Sequence, residues 1–135
     1  MNDLSKKYYS LKVKKSDPFI SIIILNWNRK HLLEKTLNSL VNNIPFKHEV
    51  IVLDNASTDG ASEYIDDWCK KRKKCRAILL KENIGGEAIN IALKEVTGDY
   101  IFISENDLEY SDDWLINLLS RREYPKSFKT GDEAN

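Results

Sequence analysis

EVIVLDNASTDG, residues 49–60, joins a short apolar run to a loop rich in hydrogen-bonding side chains. The first part is mostly β-branched and is bounded by turn formers, which is typical of a parallel strand covered on both faces. Ligands of open α/β sheets bind beyond the carboxyl ends of the strands, so Asp54 is the first candidate ligand-binding residue. The alternative is that Asp54 and Ser57 only bond turn amides and that Asp59 only caps the next helix.

The composition is that of one globular domain. The chain has 135 residues, 41% of them hydrophobic and 31% charged, enough for a single core. The 21 Lys and Arg residues equal the 21 Asp and Glu residues, so no net field attracts nucleic acid, and no nucleic-acid partner is expected. Cys69 and Cys75 have the spacing of no common zinc or redox motif and are expected to be free thiols.

The two ends of the chain are polar and differ from its centre. Residues 1–18 form a basic extension without the apolar core of a secretory signal, and no apolar run reaches spanning length, which predicts a cytoplasmic protein. Residues 19–120 form the predicted domain, and residues 121–135 form a polar tail. The basic residues 70–76 lack interleaved aromatic residues and are interpreted as a solvated helix end.

Four apolar runs alternate with helical patterns along the domain. The runs cover residues 19–25, 49–53, 76–81 and 99–104. A βαβαβαβα order predicts an α/β fold with a mostly parallel sheet, right-handed crossovers and helices on both faces. Gly98 is predicted to end the third helix as a C′ glycine, and Ser111 is predicted to cap the fourth, with Asp112 and Asp113 in its first turn.

Three of the four predicted strands end in polar loops. These loops are Asn26-Trp27-Asn28, Asp54-Asn55 with Ser57, and Glu105-Asn106-Asp107. In a parallel sheet they lie along one edge, where they offer amides and carboxylates to a base and a ribose. Glu105 and Asp107 are oxygen donors of the kind that Mg²⁺ or Mn²⁺ prefers, often together with phosphate oxygens. The alternative is a solvated acidic turn before a helix.

Other nucleotide-binding motifs are missing or incomplete. Asn83-Ile84-Gly85-Gly86 resembles a phosphate-approach loop only weakly, because glycine pairs also serve turns and helix starts. No Gly-x-Gly-x-x-Gly follows the first strand, and no Walker-type Gly-Lys-Ser/Thr occurs. The sequence therefore disfavours a dinucleotide-dependent dehydrogenase and a P-loop enzyme.

The motifs resemble those of the family 2 glycosyltransferases, whose nucleotide-sugar-binding half has the Rossmann-like GT-A fold. Residues 49–60 resemble the family's Val-Asp-Asn-Ala-Ser-Thr-Asp-Gly segment almost residue for residue, and residues 20–28 resemble its opening strand and loop. Residues 81–86 and 98–101 resemble the stretch that leads to its metal-binding acidic element. The likeness covers about residues 19–119 and implies an inverting, metal-dependent glycosyltransferase with a UDP- or dTDP-sugar donor and a glycan, lipid or protein acceptor.

The resemblance also implies roles for individual residues. Asp54 is expected to hydrogen-bond the pyrimidine base, with the first loop lining the same pocket and Asn83 near the ribose. In the acidic element the last acid is expected to bind Mg²⁺ or Mn²⁺, while the preceding residues face the ribose and diphosphate. The expected nucleotide-sugar-binding residues are Asn26, Trp27, Asn28, Asp54, Asn83, Glu105 and Asn106, and the expected metal ligands are Asp107 and Glu105.

Two departures from the family pattern keep alternatives open. Glu105 and Asn106 stand where the family usually has Asp, which removes one carboxylate. The family's acceptor-binding half and catalytic base lie beyond the acidic element and are expected to be missing here, so no catalytic residue is assigned. An apolar patch where that half would pack predicts self-association. The alternatives are a non-catalytic nucleotide-binding or protein-interaction module derived from a GT-A domain, and a receiver-like or nucleotidyltransferase domain.

Overall fold

The computed structural model describes residues 18–42 and 44–121. The predicted extension and tail fall outside this part of the chain, apart from Pro18 and Arg121. The helices and strands are, in chain order, β1 (Phe19–Asn26), α1 (Lys30–Leu40), β2 (Lys47–Asp54), α2 (Ala61–Lys70), β3 (Cys75–Leu79), a 3-10 turn (Gly85–Glu87), α3 (Ala88–Leu93), β4 (Tyr100–Ser104) and α4 (Trp114–Arg121). None of the helices in the described ranges is long and apolar enough to cross a membrane.

The four strands form one parallel sheet in the order β3-β2-β1-β4, as the alternating pattern predicts. Asn26 pairs in register with Asp54, and Ile24 pairs with Ser104. The ends of β1, β2 and β4 therefore lie side by side, and the loops that follow them leave the same edge of the sheet.

Helices cover both faces of the sheet, which confirms the α/β prediction. Alternate residues of β1 point to opposite faces, because side chains along a strand have a period of two. Ile22 packs in the larger cluster together with α1, α2 and α4, whereas Ile23 packs in the smaller cluster with Ala88 and Ala92 of α3. Three helices thus share one face, and the short α3 covers the other.

Two predicted helix boundaries are wrong. Helix α3 ends at Leu93, and Gly98 is not among the glycines with positive φ, so it does not act as a C′ glycine. Gly98 instead approaches β1 closely, where its N–H donates to Ser21 Oγ at 2.8 Å. Helix α4 begins at Trp114, three residues after Ser111, so Ser111 is not its N-cap. Asp112 and Asp113 precede the helix and do not lie in its first turn.

Replacement of Gly98 by alanine tests this close approach. A Cβ at Gly98 would lie 2.7 Å from Ser21 Oγ and 2.8 Å from the Phe19 carbonyl oxygen, so the backbone must shift. We expect Gly98→Ala to lower the free energy of unfolding by about 2 kcal/mol, measured by urea denaturation. Gly86→Ala is the matched control, since nothing lies within 4 Å of its added Cβ. Equal stability of the two variants would contradict the prediction.

A buried carboxylate, Glu49, ties the amino edge of the sheet together. Its side chain accepts hydrogen bonds from Ser21 Oγ at 2.6 Å and Thr97 N at 2.8 Å, and it pairs with Arg76 at 3.2 Å. Burial acts to raise the pKa of Glu49, but the hydrogen bonds from Ser21 and Thr97 and the charge of Arg76 outweigh it. The pKa of Glu49 is therefore below its ordinary value of 4.5.

This lowered pKa makes the stability depend on pH. A carboxyl group with a lower pKa in the folded state stabilises the fold above its unfolded pKa, and the stabilisation is lost as the pH falls through the folded pKa. We expect Glu49→Gln to flatten the fall in the free energy of unfolding between about pH 5 and pH 3, measured by urea denaturation at several pH values. The exposed Glu63→Gln on α2 is the control, and an unchanged pH profile in Glu49→Gln would refute the assignment.

Candidate functional site

Asn26 joins the three polar loops at the carboxyl edge of the sheet. Its side chain is 1% exposed. Asn26 Nδ2 donates to Asp54 Oδ1 at 2.8 Å, and Asn26 Oδ1 accepts from Asn106 Nδ2 at 2.8 Å. The ends of β1 and β2 and the loop after β4 are thus connected through one amide. The structure therefore brings into contact three of the residues that the sequence assigns to a single site, Asn26, Asp54 and Asn106.

Asp54 has a fully buried carboxylate with two donors on each oxygen. Its Oδ1 accepts from Asn26 Nδ2 at 2.8 Å and Ser57 Oγ at 2.6 Å, and its Oδ2 accepts from Ser57 N at 2.9 Å and Ser62 Oγ at 2.6 Å. Asp54 therefore does bond a turn amide, as the alternative interpretation of the sequence states. It also accepts hydrogen bonds from the side chains of Asn26, Ser57 and Ser62, so it stabilises more of the site than a residue that bonds only a turn amide.

The first loop has a left-handed backbone. Asn28 and Arg29 have φ values of 55° and 58°, a conformation that is uncommon outside glycine and that is found at functional sites. Asn28 Oδ1 accepts from Thr58 N at 2.9 Å, and Asn28 N donates to Ser57 Oγ at 2.7 Å. The neighbouring Trp27 is 53% exposed. The loop is thus held against the loop after β2 and offers an indole surface to a planar group.

Asp59 caps two helices. Its Oδ1 accepts from Ala61 N at 3.0 Å, and its Oδ2 accepts from Lys30 N at 2.8 Å. Ala61 begins α2 and Lys30 begins α1, so one carboxylate bonds free N–H groups at both helix starts. The capping role foreseen for Asp59 is confirmed and extends to a second helix.

The acidic loop after β4 is anchored on α1. Leu108 N donates to Thr36 Oγ1 at 3.0 Å, and Tyr110 N donates to Ser39 Oγ at 2.9 Å. The Tyr110 hydroxyl is hydrogen-bonded to Ser104 Oγ. Burial raises the pKa of Tyr110, with the bond to Ser104 acting against it. These contacts hold the acidic loop against α1.

Glu105 and Asp107 are exposed at this loop, and Asp107 Oδ2 forms an ion pair with Arg29 Nη1 at 3.2 Å. Within residues 18–42 and 44–121, no three His, Cys, Asp or Glu side chains are grouped so that they could hold a metal ion. Two accessible carboxylates do fit Mg²⁺ or Mn²⁺ when the remaining ligands are phosphate oxygens and water, which is the usual arrangement for Mg²⁺. The chemistry of the residues therefore suits an ion shared with a ligand and does not suit an all-protein metal site.

The loop after β3 is held by Asn55, which the sequence places in a polar loop at the carboxyl edge without an individual role. Asn55 is 5% exposed, and its Nδ2 donates to the Gly85 carbonyl at 3.0 Å while its Oδ1 accepts from Ile84 N at 2.9 Å. The exposed Asn83 accepts from Gly85 N at 2.8 Å and stands at the start of the same turn. Arg29, which pairs with Asp107, is a residue of the site that the sequence did not indicate. It directly follows Asn28, and this position is the signal that could have found it.

A family model described as "Glycosyl transferase family 2" matches residues 21–127. Among curated proteins, the glycosyltransferase TuaG of Bacillus subtilis (strain 168) is 28% identical over 103 residues, which cover 76% of this chain and 41% of that protein. Among solved structures, the mannosyltransferase PcManGT from Pyrobaculum calidifontis in complex with GDP-Man and Mn²⁺ matches with a TM-score of 0.69, 27% identity, and coverage of 76% of this chain and 32% of that chain.

A second solved structure similar to this chain is residues 1–349 of TarS from S. aureus in complex with UDP-GlcNAc. It matches with a TM-score of 0.66, 25% identity, and coverage of 78% of this chain and 31% of that chain. The chain spans less than half of the length of each of these three proteins.

Proposed function

Since the chain belongs to glycosyl transferase family 2, we propose that the carboxyl edge of its sheet binds the nucleotide-sugar donor of an inverting, metal-dependent glycosyl transfer. The observation that carries the proposal is the meeting of three polar loops at Asn26, which contacts both Asp54 and Asn106 at 2.8 Å. The UDP-GlcNAc and GDP-Man complexes of the two similar structures support a nucleotide-sugar donor.

In this proposal the base binds at the first loop. Trp27 provides the exposed aromatic surface on which a base stacks, and Asn28 lies beside it. Asp54 and Asn26 form the floor. Asp54 is 0% exposed, and two of its four donors are serine hydroxyls, which rotate, so an N–H group of the base reaches this carboxylate only when Ser57 or Ser62 turns aside.

The ribose and diphosphate lie between the loops that follow β3 and β4. Asn83 and Asn106 would face the ribose, and Glu105 and Asp107 would hold Mg²⁺ or Mn²⁺. The bound ion supplies positive charge that stabilises the leaving diphosphate. Mn²⁺ in the PcManGT complex supports this role of a divalent ion. Because the chain offers two carboxylates here, phosphate oxygens of the donor would complete the ligand set, so nucleotide binding is expected to depend on the ion.

The acceptor is a hydroxyl group of a glycan, lipid or protein. Inverting transfer requires a base that removes the proton of this hydroxyl as it attacks the anomeric carbon. We assign no side chain of residues 18–42 and 44–121 to this role. A nucleotide-binding module without turnover is therefore the second candidate function, and it uses the same edge of the sheet.

Calorimetric titration of the chain with UDP, dTDP and GDP, each with and without Mn²⁺, tests the proposal. We expect micromolar to millimolar binding of at least one nucleoside diphosphate and its loss when Mn²⁺ is removed. Uridine, which lacks the diphosphate, is the control and should not show the Mn²⁺ dependence. Absence of binding by all three nucleotides would refute both the enzyme and the module. If a nucleotide does bind, release of the sugar from the bound nucleotide-sugar would distinguish the enzyme from the non-catalytic module.

Self-association is a further part of the proposal. Ile101 and Ile103 of β4 are 48% and 52% exposed; they lie on the same sheet face as Ile23, where α3 does not cover them. Exposed apolar side chains next to each other are typical of a contact surface. Sedimentation velocity should show a dimer at high concentration, and a monomer at every concentration would contradict this part.

A further inference from the structure

Two cysteines meet at the amino edge of the sheet, opposite the candidate site. Cys69 is the next-to-last residue of α2, and Cys75 is the first residue of β3. The connection turns back at Lys74, whose φ is 56°, and this brings the two sulfurs to 3.1 Å. A disulfide has an S–S distance of about 2.05 Å, so a small movement of the side chains is enough to form the bond.

The surroundings give the two thiols different reactivity. The hydrogen bond from Cys75 lowers the pKa of Cys69 against the effect of burial, and the charge of Arg72 lowers it further. Arg72 is held in place because its guanidinium lies 3.9 Å from the centre of the Trp68 ring and donates to the Trp68 carbonyl. The pKa of Cys75 is raised, because Cys75 is the donor in this bond and is partly buried. Cys69 is therefore the nucleophile, and Cys75 is the thiol next to it.

A small oxidant can reach Cys75 from the surface. Cys75 lines a cleft of about 420 Å³ whose walls include the basic residues Lys47, Lys74 and Arg76. Cys69 itself is 4% exposed. Cys69 does not line this cleft, and its burial favours a reagent as small as hydrogen peroxide over large disulfide oxidants.

We propose that Cys69 and Cys75 are a peroxide-sensitive dithiol that forms a reversible disulfide between α2 and β3. The Cys69 thiolate attacks one oxygen of hydrogen peroxide, the O–O bond breaks, and hydroxide leaves, which gives a sulfenic acid at Cys69. The sulfur of Cys75 then attacks the sulfur of Cys69 and expels the sulfenic oxygen as water, and the S–S bond forms. In total one peroxide is reduced to two waters, and two thiols are oxidised. A dithiol reductant reverses the change by thiol–disulfide exchange.

The disulfide should stabilise the fold, because it joins two elements that already lie in contact. To test this, the full chain is treated with hydrogen peroxide, and the intact mass, the number of free thiols and the Tm are measured. We expect a mass loss of about 2 Da from two hydrogens, the loss of both thiols, and a Tm higher by about 5–10 °C that dithiothreitol reverses. In Cys69→Ser and Cys75→Ser, neither the mass loss nor the rise in Tm should occur.

Cysteines this close in sequence also pair in an unfolded chain, so a second measurement separates folded geometry from chain proximity. The chain is equilibrated in glutathione redox buffers with and without concentrated urea. We expect the equilibrium constant for the disulfide to be at least about tenfold larger in the native protein. An equal or smaller constant, a lowered Tm on oxidation, or the addition of oxygen without loss of hydrogens would overturn the proposal. None of these measurements uses nucleotide or metal, so the outcome leaves the proposed glycosyl transfer untouched.

Discussion

Replacement of Asp54 by asparagine is expected to lower the free energy of unfolding by about 3 kcal/mol. Four donors converge on the two oxygens of this buried carboxylate. An asparagine keeps one acceptor oxygen and places an N–H₂ group against donors, so at least one buried donor has no acceptor. Urea denaturation followed by tryptophan fluorescence measures the loss.

Two controls isolate this effect. Asp66 lies on α2 and forms a surface ion pair with Lys70 at 2.8 Å, so Asp66→Asn should change the stability by less than about 0.5 kcal/mol. Ser62→Ala removes one of the four donors to Asp54 and should cost about 1 kcal/mol. If Asp54→Asn were as stable as Asp66→Asn, the hydrogen bonds of Asp54 would not hold the loops together, and its role would lie in ligand binding alone.

The order of the strands and helices could be predicted because each strand is a short apolar run with polar residues at both ends. In β2, burial on both faces makes the run continuous, and this feature is visible without any contact information. The parallel pairing follows from the helical segment between successive strands. The position of the site then follows, because parallel strands place their carboxyl ends at one edge.

The contacts within the site could not be predicted, because they depend on which strands are neighbours. The order β3-β2-β1-β4 places β1 in the centre, so Asn26 reaches both Asp54 and Asn106. A different strand order would leave the same residues at the same edge without this contact. Gly98 is a similar case. Its position in the sequence fits the end of a helix, whereas the structure shows that there is no room for a Cβ next to Ser21 of β1.

Replacement of Asp107, unlike that of Asp54, is expected to affect ligand binding and not stability. The Asp107 carboxylate is exposed and, within the described residues, pairs only with Arg29. We expect Asp107→Asn to weaken Mn²⁺-dependent binding of the nucleoside diphosphate by at least about tenfold. The stability should change by less than about 0.5 kcal/mol, because an exposed ion pair contributes little. Calorimetric titration with UDP and Mn²⁺, together with urea denaturation of the same sample, measures both quantities.

Glu109→Gln is the matched control, because Glu109 is an exposed acid in the same loop that the proposed site does not use. It should bind nucleotide and Mn²⁺ as the unmodified chain does.

Arg29→Gln separates the ion pair from the metal site. If Arg29 only neutralises Asp107 before the ligand arrives, its removal leaves a bare carboxylate and should strengthen Mn²⁺ binding in the absence of nucleotide. Tenfold weaker binding in Asp107→Asn, with an unchanged Glu109→Gln, would identify Asp107 as the metal ligand. Equal binding in both variants would contradict the proposed role of the metal ion. It would not affect the fold or the assignment to the family.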